Sequence, residues 1–304
     1  MTDPLVVIGG FLAAAVRVAT PLLLAATGET VTERSGVINL GLEGMMLAGA
    51  LAATLGATAG GPWMGMALAV MAGALFAALF AAVSIAARAD QIIAGTAVTL
   101  AAVGLTGTIY REAYGTGGAG LTLPTLAPVA IPGLSGIPLL GPALFAQPVP
   151  TYLALLAVPA SWWFLFRTRA GLMLRATGEG AAEARAAGVR INAVRAAATI
   201  AGGAFAGLAG ATLVLAQVGS FAENMTAGRG YVAIAIVVLG RWHPIGVAVA
   251  ALLFGAATAL QYVFQAIGLA VPYQLFLMLP YVLTLLALGG AVGRVRAPAD
   301  LGKG

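Results

Sequence analysis

Apolar stretches of about twenty residues follow one another along most of this chain, with only short polar breaks between them. A helix of that length crosses roughly 30 Å of hydrocarbon, where every backbone polar group has to be satisfied internally. Two architectures meet that demand: a helix bundle and a closed barrel. The runs are rich in Gly and Ala and lack the period-2 alternation of barrel strands, which leaves the bundle. Composition agrees, with 61% hydrophobic residues, 8% charged residues and a mean hydropathy of +1.01. A soluble domain carries about 25% charged residues. The expected fold class is therefore all-α: a polytopic membrane helix bundle forming a single transmembrane domain over residues 1–304.

Apolar windows between charged or Pro/Gly-rich breaks predict spans near 5–27, 39–59, 62–87, 91–110, 150–166, 196–217, 227–240, 245–266 and 272–291. That makes nine helices, within a range of eight to ten. The seventh is short for a full crossing and reads equally as a re-entrant segment. The first run lacks a basic start and a small-residue cleavage site, so it is expected to stay in the protein. Under this assignment Arg34, Arg88, Arg167, Arg169, Arg175, Arg185, Arg190, Arg195, Arg241, Arg294, Arg296 and Lys303 share one side, while Arg111 and Arg229 lie on the other and Arg17 lies within the first span. Basic residues mark the cytoplasmic side, which predicts an external N-terminus and a cytoplasmic C-terminus. The formal charge of +5 is thereby a matter of topology, not of nucleic acid.

Two connections are long. Residues 111–149 are rich in Pro and Gly and predict an irregular external segment with at most short helices, a surface for something outside. Residues 167–195 form the most polar stretch. Within it, 178–187 reads as a short helix, with Glu179 and Glu183 toward its N-terminal half, Gly188 placed to cap its end and Asn192 placed to N-cap the next span. In that span Gly203 and Gly207 are four apart, as are Gly202, Ala206 and Gly210, a spacing that lets helix backbones approach closely and puts the helix inside the bundle. Gly-interrupted polar elements follow the first span at 28–44 and the sixth at 217–230, dividing the chain into two pseudo-symmetric halves with broken helices. Paired breaks of this kind point to a transport pathway.

The chemistry available is narrow. No cysteine is present, and His243 is the lone histidine, so thiol nucleophiles and histidine metal clusters are excluded. His243 itself reads as interfacial. Glu29, Glu33, Arg34 and Glu112 read as local ion pairs or solvated loop ends. Asn39 and Glu43 fall within the first turns of an apolar span and are expected to share a helix face, either holding the preceding loop or lining the pathway. Gly36, Gly41 and Gly44 suit both roles. Gln91, Thr96, Gln217 and Asn224 are further candidates for polar pathway lining, with Glu223 and Arg229 read as a solvated external loop. No glycine-rich loop ending in Gly-Lys-Ser or Gly-Lys-Thr occurs, so ATP phosphates are not cradled by that route.

The segment ERSGVINLGLEGMMLAGA at 33–50 resembles the signature of the nucleoside and simple-sugar branch of ABC importer permeases, a group that also serves branched-chain amino acids. AAGVRINAVRAAATIAGGAFAGLAGA at 186–211 and GRGYVAIAIVVLGRWHPIGVAVAALLFG at 228–255 are similar to later blocks of the same family. The resemblance implies a non-enzymatic transport subunit in a prokaryotic inner or plasma membrane. Its partners would be cytoplasmic ATPases that use ATP and Mg, a second permease subunit (paralogue or self), an extracytoplasmic solute-binding protein and membrane lipid. No cofactor is expected on this chain. The helix near 178–188 would dock on the ATPase, with Glu179, Glu183, Arg185 and Gly188 in the contact region. An ion-coupled transporter would want a second buried acid beside Glu43, and an intramembrane enzyme a nucleophile with its base; the sequence offers neither in a convincing form.

Overall fold

The computed structural model describes residues 4–115, 122–267, 278, 282 and 296–303. Helix α1 (Pro4–Arg34) leads through an irregular stretch to α2 (Leu42–Gly60), which pairs with α3 (Pro62–Ala81). The latter continues as a π-helix through Ala86 before α4 (Gln91–Tyr114). The external connection holds strand β1 (Val129–Ala130), helix α5 (Leu140–Leu144) and strand β2 (Ala146–Gln147). Then come α6 (Val149–Arg167), α7 (Arg169–Glu179) and α8 (Ala181–Ala186). Helix α9 (Ile191–Thr212) ends in π-helical turns to Val218 and is followed by α10 (Arg229–Leu239) and α11 (Pro244–Ile267).

Seven helices among the described residues are long and apolar enough to cross a membrane. The short seventh segment forms α10, whose 11 residues rise only about 16 Å, half a crossing. The expected span at 272–291 lies outside the described residues. Two strands of two residues each pair antiparallel, Val129 with Gln147 and Ala130 with Ala146, in a connection expected to be irregular or helical. This ribbon is too short to alter the class.

Helix α9 sits at the centre, and the small residues predicted to bring backbones together do so. A methyl group added at Gly207 would collide with the Ala69 carbonyl oxygen of α3, and one at Gly210 with the Met46 carbonyl of α2. On another face Thr32 of α1 donates to the Ala198 carbonyl (3.4 Å). In lipid this close packing, not hydrophobic expulsion, holds helices together. The main core joins Leu22–Ala26 of α1, Met45 and Met46 of α2, Phe80 of α3, Ile236 and Val237 of α10 and Phe254 of α11. Outward, α3 and α4 expose Leu75, Ile93 and Leu100, each about two-thirds accessible, as suits surfaces facing hydrocarbon.

Helix α2 begins inside the bundle, because Gly44 packs against the Cα of Thr99, eight residues into α4. With Gly44 two residues into α2, that offset places the start of α2 about 9 Å beyond the end where α4 begins. The end itself gathers the C-terminus of α1, the start of α4, helices α7 and α8, the start of α9, the turn 240–243 and the segment 296–303, and it carries most of the arginines. At the opposite end the ribbon is anchored by Gln147, which donates to the carbonyls of Pro142 (2.9 Å) and Ala143 (3.1 Å).

Candidate functional site

The first break begins where α1 ends. Ser35 and Gly36 turn the chain, and residues 37–41 rise irregularly into the bundle. Non-helical backbone at this depth survives only when its polar groups find partners within the protein. Side chains supply them here: Gln91 Oε1 accepts from Ile38 N–H (2.8 Å), Glu29 Oε1 from Asn39 N–H (3.2 Å) and Asn39 Oδ1 from Gly41 N–H (3.1 Å). Thr99 Oγ1 donates to the Leu40 carbonyl (3.2 Å). Asn39, Gln91 and Glu29 therefore hold the break in shape.

The second break lies between α9 and α10. Its π-helical end and left-handed Gly219 (φ +74°) leave carbonyls open, and the external connection meets them: Leu126 N–H donates to Leu215 O (2.8 Å) and Leu123 N–H to Gly219 O (2.9 Å). The loop then folds over itself, with the Arg229 guanidinium donating to the carbonyls of Met225 (2.9 Å) and Thr226 (3.2 Å).

Glu43 joins the two breaks. Its Oε1 accepts from Thr226 Oγ1 (2.5 Å) and Gly228 N–H (2.8 Å), and its Oε2 from Gly230 N–H (2.6 Å). The carboxylate, 4% exposed, thus sits in the first turn of α2 and against the N-terminus of α10. Both helix ends present partial positive charge, and hydrogen bonds to an ionised acceptor are roughly twice as strong as neutral ones. The approach requires glycine at 230, where a Cβ would stand 2.6 Å from the Glu43 Cα.

The other end of α10 is tied to the same stretch. Trp242 Nε1 donates to Glu33 Oε2, and Arg34 Nε donates to the Trp242 carbonyl (2.8 Å). Residues 33–43 consequently run antiparallel to α10 and fasten it at both ends. What results is a half-length helix whose N-terminus points at a buried carboxylate in mid-bundle, a polar knot where two chain halves meet.

Several expectations change. Glu29 and Glu33 are not solvated loop ends: they are 0% and 2% exposed, because α1 runs on to Arg34 and its last turns pack against α9, at Gly28 and Thr32, and against Trp242. Asn39 and Glu43 do not share a helix face, since α2 starts only at Leu42 and leaves Asn39 in the irregular stretch. Thr96 stands apart, exposed and bonded to its own helix at Ile92 O (2.8 Å). Asn224 is exposed with φ +56°, shaping the loop beside the knot. Arg111 pairs across the fold with Glu223 (3.0 Å) instead of with its neighbour Glu112. Gln217 donates to the Arg17 carbonyl (2.7 Å). Sequence reasoning missed Trp242, Thr226 and Gly230; the Thr-Ala-Gly-Arg-Gly run before an apolar segment was the available signal, being helix-start chemistry suited to an anion.

At the arginine-rich end the expected helix 178–187 is two pieces. Glu179 closes α7, Gly180 breaks the chain, and α8 covers only Ala181–Ala186, with Glu183 in its first turn. Gly188 ends it at φ +86° with its N–H on the Arg185 carbonyl (2.9 Å), and Asn192 does not cap α9, whose N-cap is Arg190. Glu179 is engaged within the chain, 3.6 Å from Arg34 and accepting from Ala299 N–H (3.4 Å). Segment 296–303 threads between these parts: Asp300 N–H donates to Gly178 O (2.8 Å), Gly302 N–H to Gly36 O (3.0 Å) and Arg195 Nη1 to Lys303 O (2.9 Å). The Ala181 N–H (2.7 Å) and then Lys303 hold the Asp300 carboxyl below its ordinary value. Burial and then Arg34 push the His243 imidazole down. It lies 5.3 Å from the Phe166 ring, at a turn as expected.

Comparison with known proteins bears directly on this arrangement. Residues 11–288 match the family described as the permease component of branched-chain amino acid transport systems. The chain is 36% identical over 290 residues to the guanosine ABC transporter permease of Bacillus subtilis, covering 92% of this chain and 91% of that one. It is 34% identical to the nucleoside ABC transporter permease of Lactococcus lactis subsp. cremoris, with the same coverages. A putative glucose ABC transporter permease of Haloferax volcanii is 38% identical over 265 residues, 86% of this chain and 79% of that protein. No solved structure matches.

Proposed function

We propose, on the premise that this chain belongs to the family of branched-chain amino acid transport system permease components, that it is the membrane-spanning subunit of an ATP-driven importer of nucleosides. Membership makes it a multi-pass ABC permease, a transport component and not an enzyme. The similarity that carries the nucleoside reading runs nearly end to end through two permeases for such solutes. A simple sugar is the second reading, favoured by the 38% identity to the glucose permease.

In this reading the arginine-rich end faces the cytoplasm of a prokaryotic cell, following the positive-inside bias, and the N-terminus lies outside. Separate ATPase subunits bind and hydrolyse ATP with Mg, a second permease subunit completes the pathway, and a solute-binding protein meets the Pro-rich external segment. Helix α8 is the docking piece, through Glu183, Arg185 and Gly188. A push on it reaches Glu179, then Arg34, and through Arg34 the turn at Trp242 that closes α10. Asp300 and Gly302 give a second route, from Gly178 to Gly36. Both end on the stretch that fastens α10, so motion of the ATPases tilts a half-helix against the Glu43 knot. Each partner acts by binding one of the two arrangements better than the other.

The test is uptake by proteoliposomes holding the complete importer. Radiolabelled guanosine should accumulate with ATP and compete with other nucleosides but not with glucose; the reverse pattern assigns the sugar. Glu183→Arg, on an exposed face of α8, should abolish ATP-driven uptake with the protein still inserted. Full uptake by that variant would remove α8 from the coupling route.

A further inference from the structure

At the arginine-rich end the π-helical end of α3, the start of α4, helix α8, the start of α9 and the segment 296–303 enclose a cavity of about 370 Å³. Among the described residues four cations line it, Arg88, Arg185, Arg195 and Lys303, against a single acid, Asp300. That acid is already occupied by the Ala181 N–H and by Lys303 (3.2 Å). Ile191 and Asn192 bring the first turn of α9 to the same wall, and no side chain caps that helix. Arg195, 6% exposed, is fixed by its bonds to the carbonyls of Ser35 (3.3 Å) and Lys303 (2.9 Å). Arg88, exposed at the turn between α3 and α4, adopts φ +58°.

Like charges gathered around a hollow repel one another unless an anion joins them, and a cavity bounded by a helix N-terminus and guanidinium groups suits tetrahedral oxyanions. We infer that this cavity binds a phosphate group. Its source is read from the neighbouring surface. Val83, Ile92 and Ile93, at the same junction, are 38%, 54% and 71% exposed, an apolar rim continuous with the outward faces of α3 and α4. A phospholipid places its phosphate among the cations and its acyl chains along that rim, as basic pockets between membrane helices do for anionic headgroups. Because Arg185 sits on α8 and Lys303 on the segment that joins α7 to the first break, an occupied cavity braces the coupling pieces against the α3–α4 turn. The inference holds whether the imported solute is a nucleoside or a sugar.

Native mass spectrometry of the purified full-length permease, released from detergent after incubation with dioleoyl phosphatidic acid, reads this directly. One lipid should stay bound to the wild type, and Arg88→Gln with Lys303→Gln should weaken retention roughly tenfold to thirtyfold. Arg88→Lys, which keeps the charge, should retain it, as should Arg167→Gln, whose guanidinium stacks on Trp162 outside the cavity. If inorganic phosphate displaces the lipid and shifts the melting temperature alone, the phosphate is soluble in origin and the site stands. Equal retention by the double variant, or equal loss in Arg167→Gln, overturns the site. So does release of the lipid when ATPase subunits are added, which would give the cavity to an acidic group of that partner.

Discussion

Glu43 shows how much one buried carboxylate can organise when its partners are backbone amides. Replacing it with glutamine keeps the shape but turns one oxygen into a donor facing N–H or O–H donors already in place, and no rotation of the amide satisfies all three. Expected is a loss of about 3 kcal/mol of stability, read as a lowered midpoint of thermal denaturation in detergent. Thr226→Val removes a single donor from the same oxygen and should cost about 1–3 kcal/mol, while Trp242→Phe should cost a similar amount by leaving Glu33 Oε2 buried without its indole partner. A variant pair that left the midpoint unmoved would mean that water replaces these donors and that the knot is open. The two aspects of Glu43 were unequally legible. Its depth could be read from an acid among apolar residues, but its partners could not, because Thr226 and Gly230 lie more than 180 positions away and no local pattern encodes that pairing.

Helices followed the sequence where one physical signal dominated, and departed where tertiary partners took over. The span lengths came from hydrocarbon thickness, and the central place of α9 from small residues four apart; both rest on local spacing. The register of α2 did not, since Val37, Ile38 and Leu40 are as apolar as the span that follows, and the non-helical path there is held by Gln91, Glu29 and Thr99 of other helices together with Asn39 itself. Likewise Gly180 splits a stretch whose Ala-rich composition favours one helix, because the Ala181 N–H is drawn to Asp300. The packing argument is testable within one experiment. Gly207→Ala should destabilise by about 1–3 kcal/mol, as its methyl has to displace the Ala69 carbonyl. Gly104→Ala, in α4 with open space around it, should instead stabilise by about 0.5–1 kcal/mol through helix propensity. Equal effects at the two sites, measured by denaturation in the same detergent, would mean that helix propensity alone decides and that α9 does not pack as closely as described.

Across the whole molecule, the arginine-rich end is closed by groups whose protonation opposes closure. His243 and Asp300 both titrate below their ordinary values of 6.5 and 3.8. Each therefore contributes stability that is full above its ordinary value and lost as pH falls through its lowered one. Acidification from neutrality should lower the denaturation midpoint in two steps, the first from His243 and the second from release of segment 296–303; His243→Gln should remove the first and Asp300→Asn the second. A single step unaffected by Asp300→Asn would show that the segment is held by its backbone bonds alone. The Glu43 and Glu33 ties have a further consequence, in time. The donors to Glu43 and Glu33 come 183 and 209 positions later in the chain. At about 5–20 residues per second, a ribosome delivers them roughly 10–40 s after the carboxylates themselves have been made. For that interval the first half waits in the bilayer with acids it cannot satisfy, so a nascent chain stalled after α4 should be a preferred substrate for membrane proteases, and one completed through Trp242 should not.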